Sequence, residues 1–321
     1  WSSDVCSSDL WRDSFIEQAR AEMVSLGYLE SWNSAIIGPA HLDRIRAAED
    51  SPLRQAVKLM NPLSENESLM RTTLAPSIIE ALSVNARRLN PRVALFELAR
   101  VYMDSTGNTE RHERRVLAGG GYGPRGQQWP AQEGEYDFFD AKGALEAMLA
   151  FAGVNEYRFE AAELPYLQPG RSAKLVLGDS EAGVCGELHP DVAEDYEIRH
   201  RAAIFELDME VLRRTARSED IRFEAPSLYP PVTRDLALVV DLQVHAADLQ
   251  AGVEKAAGKL LEKCYLYDVF TGGRIPAGKR SLNYRLVFRA PDRTLKEEDV
   301  NKQQDRILRT VKKEFNAELP M

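Results

Sequence analysis

The chain has 321 residues, 44% apolar and 28% charged, with a net charge of −9. That composition builds one large or two ordinary domains with real cores, and excludes a disordered, fibrous or collagen-like chain. No apolar run reaches the ~18 residues of a membrane-spanning helix; three cysteines (Cys6, Cys185, Cys264) without paired spacing exclude a disulfide scaffold and a Cys-x-x-Cys metal site.

Trp1–Leu10, WSSDVCSSDL, reads as the translation of a sequencing adapter and is set aside, which makes Cys6 non-native and puts the native sequence's start near Trp11, mid-protein. With no export signal and two remaining cysteines, the expected compartment is the cytoplasm. Phe15, Ile16, Ala19, Met23 and Leu26 recur at helical spacing up to Gly27, predicting a first amphipathic helix. Residues 28–62 read as partly extended. Asn61–Leu74 is denser in polar groups than a core element and reads as a loop capped by Ser64 and Glu67. Pro76 ahead of Ile78, Ile79, Leu82, Ala86 and Leu89 predicts a second helix. Val93–Tyr102 is a strand rich in β-formers, with Val116–Tyr122 as its antiparallel neighbour. Ala141, Leu145, Met148, Leu149 and Ala152 mark a third helix, and short strands alternate with turns from Tyr157 to Leu207. Helices and strands without strict alternation predict α+β architecture.

The polar stretch 213–226 reads as a linker between a domain over 11–212 and another over 227–321. In the latter, Asp235–Asp241 is a strand and Ala246–Leu261 a helix. Tyr265–Phe270 and Ser281–Arg289 are strands separated by a turn-rich segment. Thr294, three residues before Glu297, predicts a capping box opening a helix through about Phe315, with room for a short strand at Ala317–Met321. The order β-α-β-β-α-β is the ferredoxin-like split βαβ plan. This segment carries 16 Lys and Arg against 13 Asp and Glu, a charge of +3, while positions 1–226 hold the other 25 and 37, a charge of −12. A basic module on an acidic body is compatible with contacting a phosphate backbone.

Three signals compete for chemistry. Gly121–Gly126 matches G-x-G-x-x-G, but Pro124 and the polar residues after it supply no helix to hold a pyrophosphate, so it reads as a turn. Cys185 and His189 lie four apart; a thiol nucleophile would need a base in reach, and a buried structural cysteine is the plainer reading. In the C-terminal module Arg234, Arg280, Arg289 and Arg293 accompany Tyr265, Tyr267, Phe270 and Tyr284. Alternation puts Tyr284, Leu286 and Phe288 on one sheet face, and Arg285, Val287 and Arg289 on the other. Rings and arginines on a sheet surface are how single-stranded bases are held, although core packing would use the same rings.

Arg234–Asp241, Tyr267–Gly272 (YDVFTG), Gly278–Leu282 (GKRSL) and Arg293–Glu298 (RTLKEE) together resemble the anticodon-binding domain that ends the bacterial phenylalanine–tRNA synthetase beta chain. Upstream, Asn61-Pro-Leu-Ser with Met70–Leu74 (MRTTL), Phe96–Tyr102 (FELARVY), Phe138–Gly143 (FFDAKG), Pro169–Ala173 (PGRSA), Gly186–Pro190 (GELHP) and Phe205–Asp208 (FELD) resemble that subunit's core domain, in order from about Trp11 to the end. The resemblance implies a class II synthetase-like antiparallel sheet domain that has lost catalysis, followed by a ferredoxin-fold anticodon-binding domain. Its implied role is to pack on the catalytic alpha subunit, in a heterotetramer of two alpha and two beta chains, while ATP and Mg²⁺ serve the holoenzyme. No catalytic residue and no metal ligand is expected in this chain. For tRNA(Phe), the resemblance makes Phe270 the ring that stacks on an anticodon base, where the family usually has Tyr. It makes Asp268 and Ser281 the nucleotide hydrogen-bonding groups and Arg234, Lys279 and Arg280 the phosphate contacts; Arg289 and Arg293, from the arginine cluster, complete the expected tRNA-binding set. Asn283 and Pro320 depart from the family pattern, the latter replacing an Arg. The family's upstream editing and tRNA-binding modules are not in this sequence. The alternative is a structural assembly subunit without useful RNA binding, which salt dependence of RNA affinity would distinguish.

Overall fold

The structure, a computed structural model, describes residues 3–103, 113–125, 134–216 and 227–320, with side chains described from residue 14 onward. Backbone packing divides the chain into two units, Trp1–Glu219 and Asp220–Met321. The polar loop 104–112, Gly126 and the segment after it, and residues 217–226 of the expected linker lie outside the described residues; Arg213–Thr215 close a helix.

The first unit contains α1 (Ser3–Ser25), β1 (Leu29–Glu30), β2 (Ile36–Ile37), α2 (Pro39–Arg44), β3 (Leu69–Met70), α3 (Ala75–Arg87), β4 (Val93–Tyr102), β5 (Glu113–Tyr122), α4 (Phe138–Phe151), β6 (Arg158–Ala161), β7 (Leu167–Leu177), β8 (Ser180–Leu188), α5 (Pro190–Asp195), β9 (Ala202–Asp208) and α6 (Met209–Thr215). Seven strands form one sheet in the order β1-β4-β5-β9-β8-β7-β6. Every pair is antiparallel except the short β1–β4 contact. The α+β expectation holds.

β4 reads as nearly continuous apolar sequence because both of its faces are covered. Phe96 and Leu98 join the core shared with α1, α4 and α6, while Val93, Leu95 and Val101 join the core shared with α3 and α5. In β5 a Cβ on Gly119 would meet the Phe205 ring at 2.5 Å, and one on Gly121 the Tyr136 ring at 2.8 Å. Bare backbone there lets rings settle onto the sheet: Tyr28 meets Phe205 edge-on at 5.8 Å, and the Tyr28 and Tyr136 hydroxyls lie 2.6 Å apart.

Local expectations shift at element ends. Leu89 falls outside α3, at φ +59°, because Asn90-Pro91 follows and the residue before a proline disfavours helix. Ser64 makes no side-chain cap; the turn at 65–67 closes through the Glu67 amide donating to the Ser64 carbonyl at 3.1 Å.

The second unit contains β10 (Val232–Asp241), α7 (Ala246–Ala257), β11 (Leu261–Phe270), β12 (Lys279–Phe288) and α8 (Glu297–Phe315). Its antiparallel sheet runs β10-β12-β11, and a bridge between Val239 and Glu318 adds the last residues outside β10. This is the ferredoxin-like arrangement. Leu236, Leu238 and Val240 with Leu282, Tyr284, Leu286 and Phe288 turn toward Leu249 and Val253 of α7 and Ile307 and Val311 of α8. α7 stops short of Leu261 because Gly258 takes φ +65°. The α8 cap differs from expectation: Lys296 is the cap residue, and the Asp299 carboxylate accepts its amide at 3.3 Å. Burying Leu295 in the core holds the chain extended past Thr294, which displaces the helix start.

Candidate nucleic-acid interface

The central strand β12 alternates its four core residues with Ser281, Asn283, Arg285 and Val287, which point away from α7 and α8. Beside them lie Asp235, Ala237 and Val239 of β10, and Tyr265, Asp268 and Phe270 of β11. Strict alternation would turn Tyr265 and Phe270, five residues apart, to opposite sides. A register shift between Leu266 and Asp268 makes Tyr267 an extra residue, and the bulge brings both rings to one face. Tyr265, Tyr267 and Phe270 are 44%, 45% and 53% exposed, so these rings are presented to solvent and core packing does not claim them.

The expected contact residues separate into two groups. Phe270 lies opposite Ser281, and Asp268 opposite Asn283. Asp268 accepts from the Val269 amide at 2.8 Å; the buried Ser281 hydroxyl donates to Asn283 Oδ1 at 2.9 Å. Lys279 stands at the same end of β12, 3.4 Å from the Glu318 carboxylate. Arg289 is just past the other end of the strand, donating to Glu262 at 2.6 Å and to the Tyr229 carbonyl at 3.3 Å. The structure does not bring Arg234, Arg280 or Arg293 to this face. Arg234 shares the side of Leu236 and lies 3.6 Å from Glu297 of α8. Arg280, on the side of Leu282, donates to the Val244 carbonyl at 2.7 Å, with its Nε buried and unpartnered. Arg293 lies before α8 between Asp292 and Asp299.

Arg285 and Asp235 lie outside the expected contact set. Arg285 donates a two-pronged pair of hydrogen bonds to Asp235, at 2.7 and 2.9 Å, and its guanidinium lies 4.9 Å from the Tyr267 ring centroid. Those hydrogen bonds hold the Asp235 carboxyl below the usual carboxylate range. The parity of Arg285 with Val287 signals its face, but a partner 50 residues upstream depends on strand register.

In the first unit the polar motifs are turned inward. Arg71 donates to Glu97 at 2.8 Å and to the Arg100 carbonyl at 3.1 Å, while Asn33 donates to the other Glu97 oxygen at 2.7 Å. Thr73 Oγ1 and the Leu74 amide donate to Glu206 at 2.7 and 2.9 Å, tying the start of α3 to β9. Glu187 accepts from Arg171 at 2.8 Å, from Arg201, and from the Phe138 amide at the start of α4. The polar density of 61–74 is thus partly bracing. Cys185 is fully buried, and burial pushes its thiol up to about 12. His189 Nδ1 accepts from the Asp191 amide at 3.3 Å as the cap of α5. A protonated, sealed thiol and a capping imidazole are not a nucleophile and its base. Among the described residues no cluster of His, Cys, Asp and Glu is arranged to hold a metal ion, and no helix is long and apolar enough to cross a membrane.

Residues 8–209 match the family model described as phenylalanyl tRNA synthetase beta chain CLM domain, and residues 227–320 match the ferredoxin-fold anticodon binding domain. Among curated relatives, the phenylalanine–tRNA ligase beta subunit of Moorella thermoacetica is 40% identical over 306 residues, covering 94% of this chain and 38% of that one. The same subunit of Clostridium tetani is 37% identical over 299 residues, covering 92% and 36%. This chain therefore spans less than two fifths of the length of those relatives. A solved pyrrolysyl-tRNA synthetase from Desulfitobacterium hafniense aligns over 62% of this chain and 67% of its own, at TM-score 0.47 and 20% identity, too loose a likeness to carry an inference.

Proposed function

The chain belongs to the phenylalanyl-tRNA synthetase beta-chain family, and from that premise we propose that its second unit holds the anticodon region of tRNA(Phe) while its first unit is a non-catalytic platform for the catalytic alpha subunit. The observation that carries the RNA-binding half is the exposed Phe270 ring, on the open sheet face beside Asp268 and Lys279. A flat apolar ring in solvent with polar groups around it suits an unstacked base, because every base offers a π face.

The platform half draws on the first unit, whose polar motifs are spent on internal bracing: Arg71 on Glu97, Thr73 and Leu74 on Glu206, and Arg171 and Arg201 on Glu187. Trp32, Met60 and Leu63 are 99%, 93% and 94% exposed, apolar surface that suits burial against a partner chain. In this reading ATP and Mg²⁺ act in the alpha subunit, the assembly is a heterotetramer working in the cytoplasm, and this chain supplies no group to the chemistry.

The test is a titration of the chain with tRNA(Phe) and with a transcript whose anticodon bases are replaced. Weaker binding of the altered transcript is expected; equal affinities would overturn the assignment. The assembly-only reading is favoured by the pairing of three cations on or beside this face, Lys279 with Glu318, Arg285 with Asp235 and Arg289 with Glu262, although the exposed Lys263 opposite Val287 has no such pair among the described residues. RNA affinity that does not fall with rising salt would select it.

A further inference from the structure

We infer that the open face carries a second base-stacking subsite, formed by Tyr267 and the Arg285 guanidinium and set in position by Asp235, so that two neighbouring bases of one RNA loop are held side by side. The inference rests on the RNA-binding reading above and extends it from one ring to a track along β11.

Arg285 is the central cation of the face, yet it is not free to seek phosphate. Asp235 grips it through two parallel hydrogen bonds at 2.7 and 2.9 Å, which fixes the plane of the guanidinium and neutralises its charge. The Arg285 Cζ lies over the Tyr267 ring, 4.9 Å from its centroid, and Tyr265 occupies the directly opposed β11 position. A planar guanidinium with its charge compensated, beside an aromatic ring, is the chemistry that stacks on a nucleobase. Both tyrosines remain nearly half exposed, so the surface is reachable.

Spacing and facing support a track. Tyr267 and Phe270 are three residues apart on one strand, about 10 Å at the rise of an extended chain, within the reach of successive splayed nucleotides. The bulge at Tyr267 turns Phe270 to the side where Tyr265 and Arg285 already point. Bulges commonly re-aim side chains beside functional sites. Asp235 is a positioning residue: it touches Arg285 and acts on the base only through it.

The test uses the full chain and an anticodon stem-loop of tRNA(Phe) carrying 2-aminopurine at one loop position at a time. Two neighbouring positions should change fluorescence on binding. Phe270→Ala should abolish one signal and Tyr267→Ala the other, each weakening affinity roughly 5- to 150-fold, as loss of one stacking ring does. Tyr267→Phe should keep the signal. Arg285→Met should weaken binding without changing the slope of log affinity against log salt, whereas a phosphate contact would lower that slope by about one. Asp235→Asn frees the cation and should steepen it. If Tyr267→Ala leaves affinity and both signals intact while Phe270→Ala does not, the second subsite is overturned and the RNA-binding reading stands. If neither variant alters affinity, the RNA-binding reading itself fails.

Discussion

Arg71 and Glu97 form an ion pair at 2.8 Å with side chains only 4% and 3% exposed, joining the segment before α3 to the middle of β4. Each charge is affordable in that setting only because the other is there, along with the Asn33 amide and the Arg100 carbonyl. Glu97→Ala is expected to destabilise the first unit by about 3–5 kcal/mol, since it strands a buried guanidinium. Glu80→Ala, which removes the half-exposed pairs with Arg44 and Arg87, should cost under about 1 kcal/mol. Denaturant unfolding of the two variants checks the contrast; equal losses would refute it.

Glu206 gives the first unit a pH dependence of unusual sign. Burial raises its pKa above the ordinary 4.5, and the Leu74 amide and Thr73 hydroxyl offset that only in part. The folded state therefore binds the proton more tightly than the unfolded state. The stability this group confers is fully present below its ordinary value and is lost as pH rises through the raised one. Glu206→Gln should remove that fall. The difference in melting temperature between wild type and variant, followed from acid to neutral pH, should shift in favour of the variant as pH rises.

Gly119→Ala should destabilise the first unit by about 1–3 kcal/mol, the range for forcing atoms into a packed core. The added methyl would sit 2.5 Å from the Phe205 ring and 2.8 Å from the Leu95 carbonyl, and neither can retreat without disturbing the sheet. A thermal melt of the variant is sufficient, and an unchanged melting temperature would show that the aromatic cluster can move.

On the open face, Phe270→Ala should weaken tRNA(Phe) binding by about 1–3 kcal/mol. The unfolding transition should stay in place, because the ring is exposed. Lys279→Ala should lower the salt slope by about one, as loss of a phosphate contact does, and Glu318→Gln should tighten binding at low salt by releasing Lys279. Arg234→Ala should leave the slope unchanged, because Arg234 lies on the helix side near Glu297. Filter-binding titrations at several salt concentrations report all four.

Much of this architecture is legible in the order of residues. β4 announces itself because a strand covered on both sides needs apolar side chains at both parities, and β12 because Leu282, Tyr284, Leu286 and Phe288 keep strict alternation. The parity of Arg234 with Leu236, and of Arg280 with Leu282, already marks both arginines for the covered side; grouping them by charge alone passes over it. What is not legible depends on through-space register. The partners of Glu97, Glu206 and Arg285 lie 26, 133 and 50 residues away. The facing of Phe270 depends on an irregularity that alternation cannot express.

Because one supernumerary residue decides which way the distal half of β11 points, changes of length and changes of identity have very different effects there. Deleting a single codon between Leu266 and Phe270 would turn the terminal ring to the opposite side of the sheet, where Val269 now lies across from Leu282, while most substitutions would leave the arrangement standing. Natural length polymorphism should accordingly collect in the hairpin tip at 271–278, where the chain can grow or shrink without inverting what the strand displays.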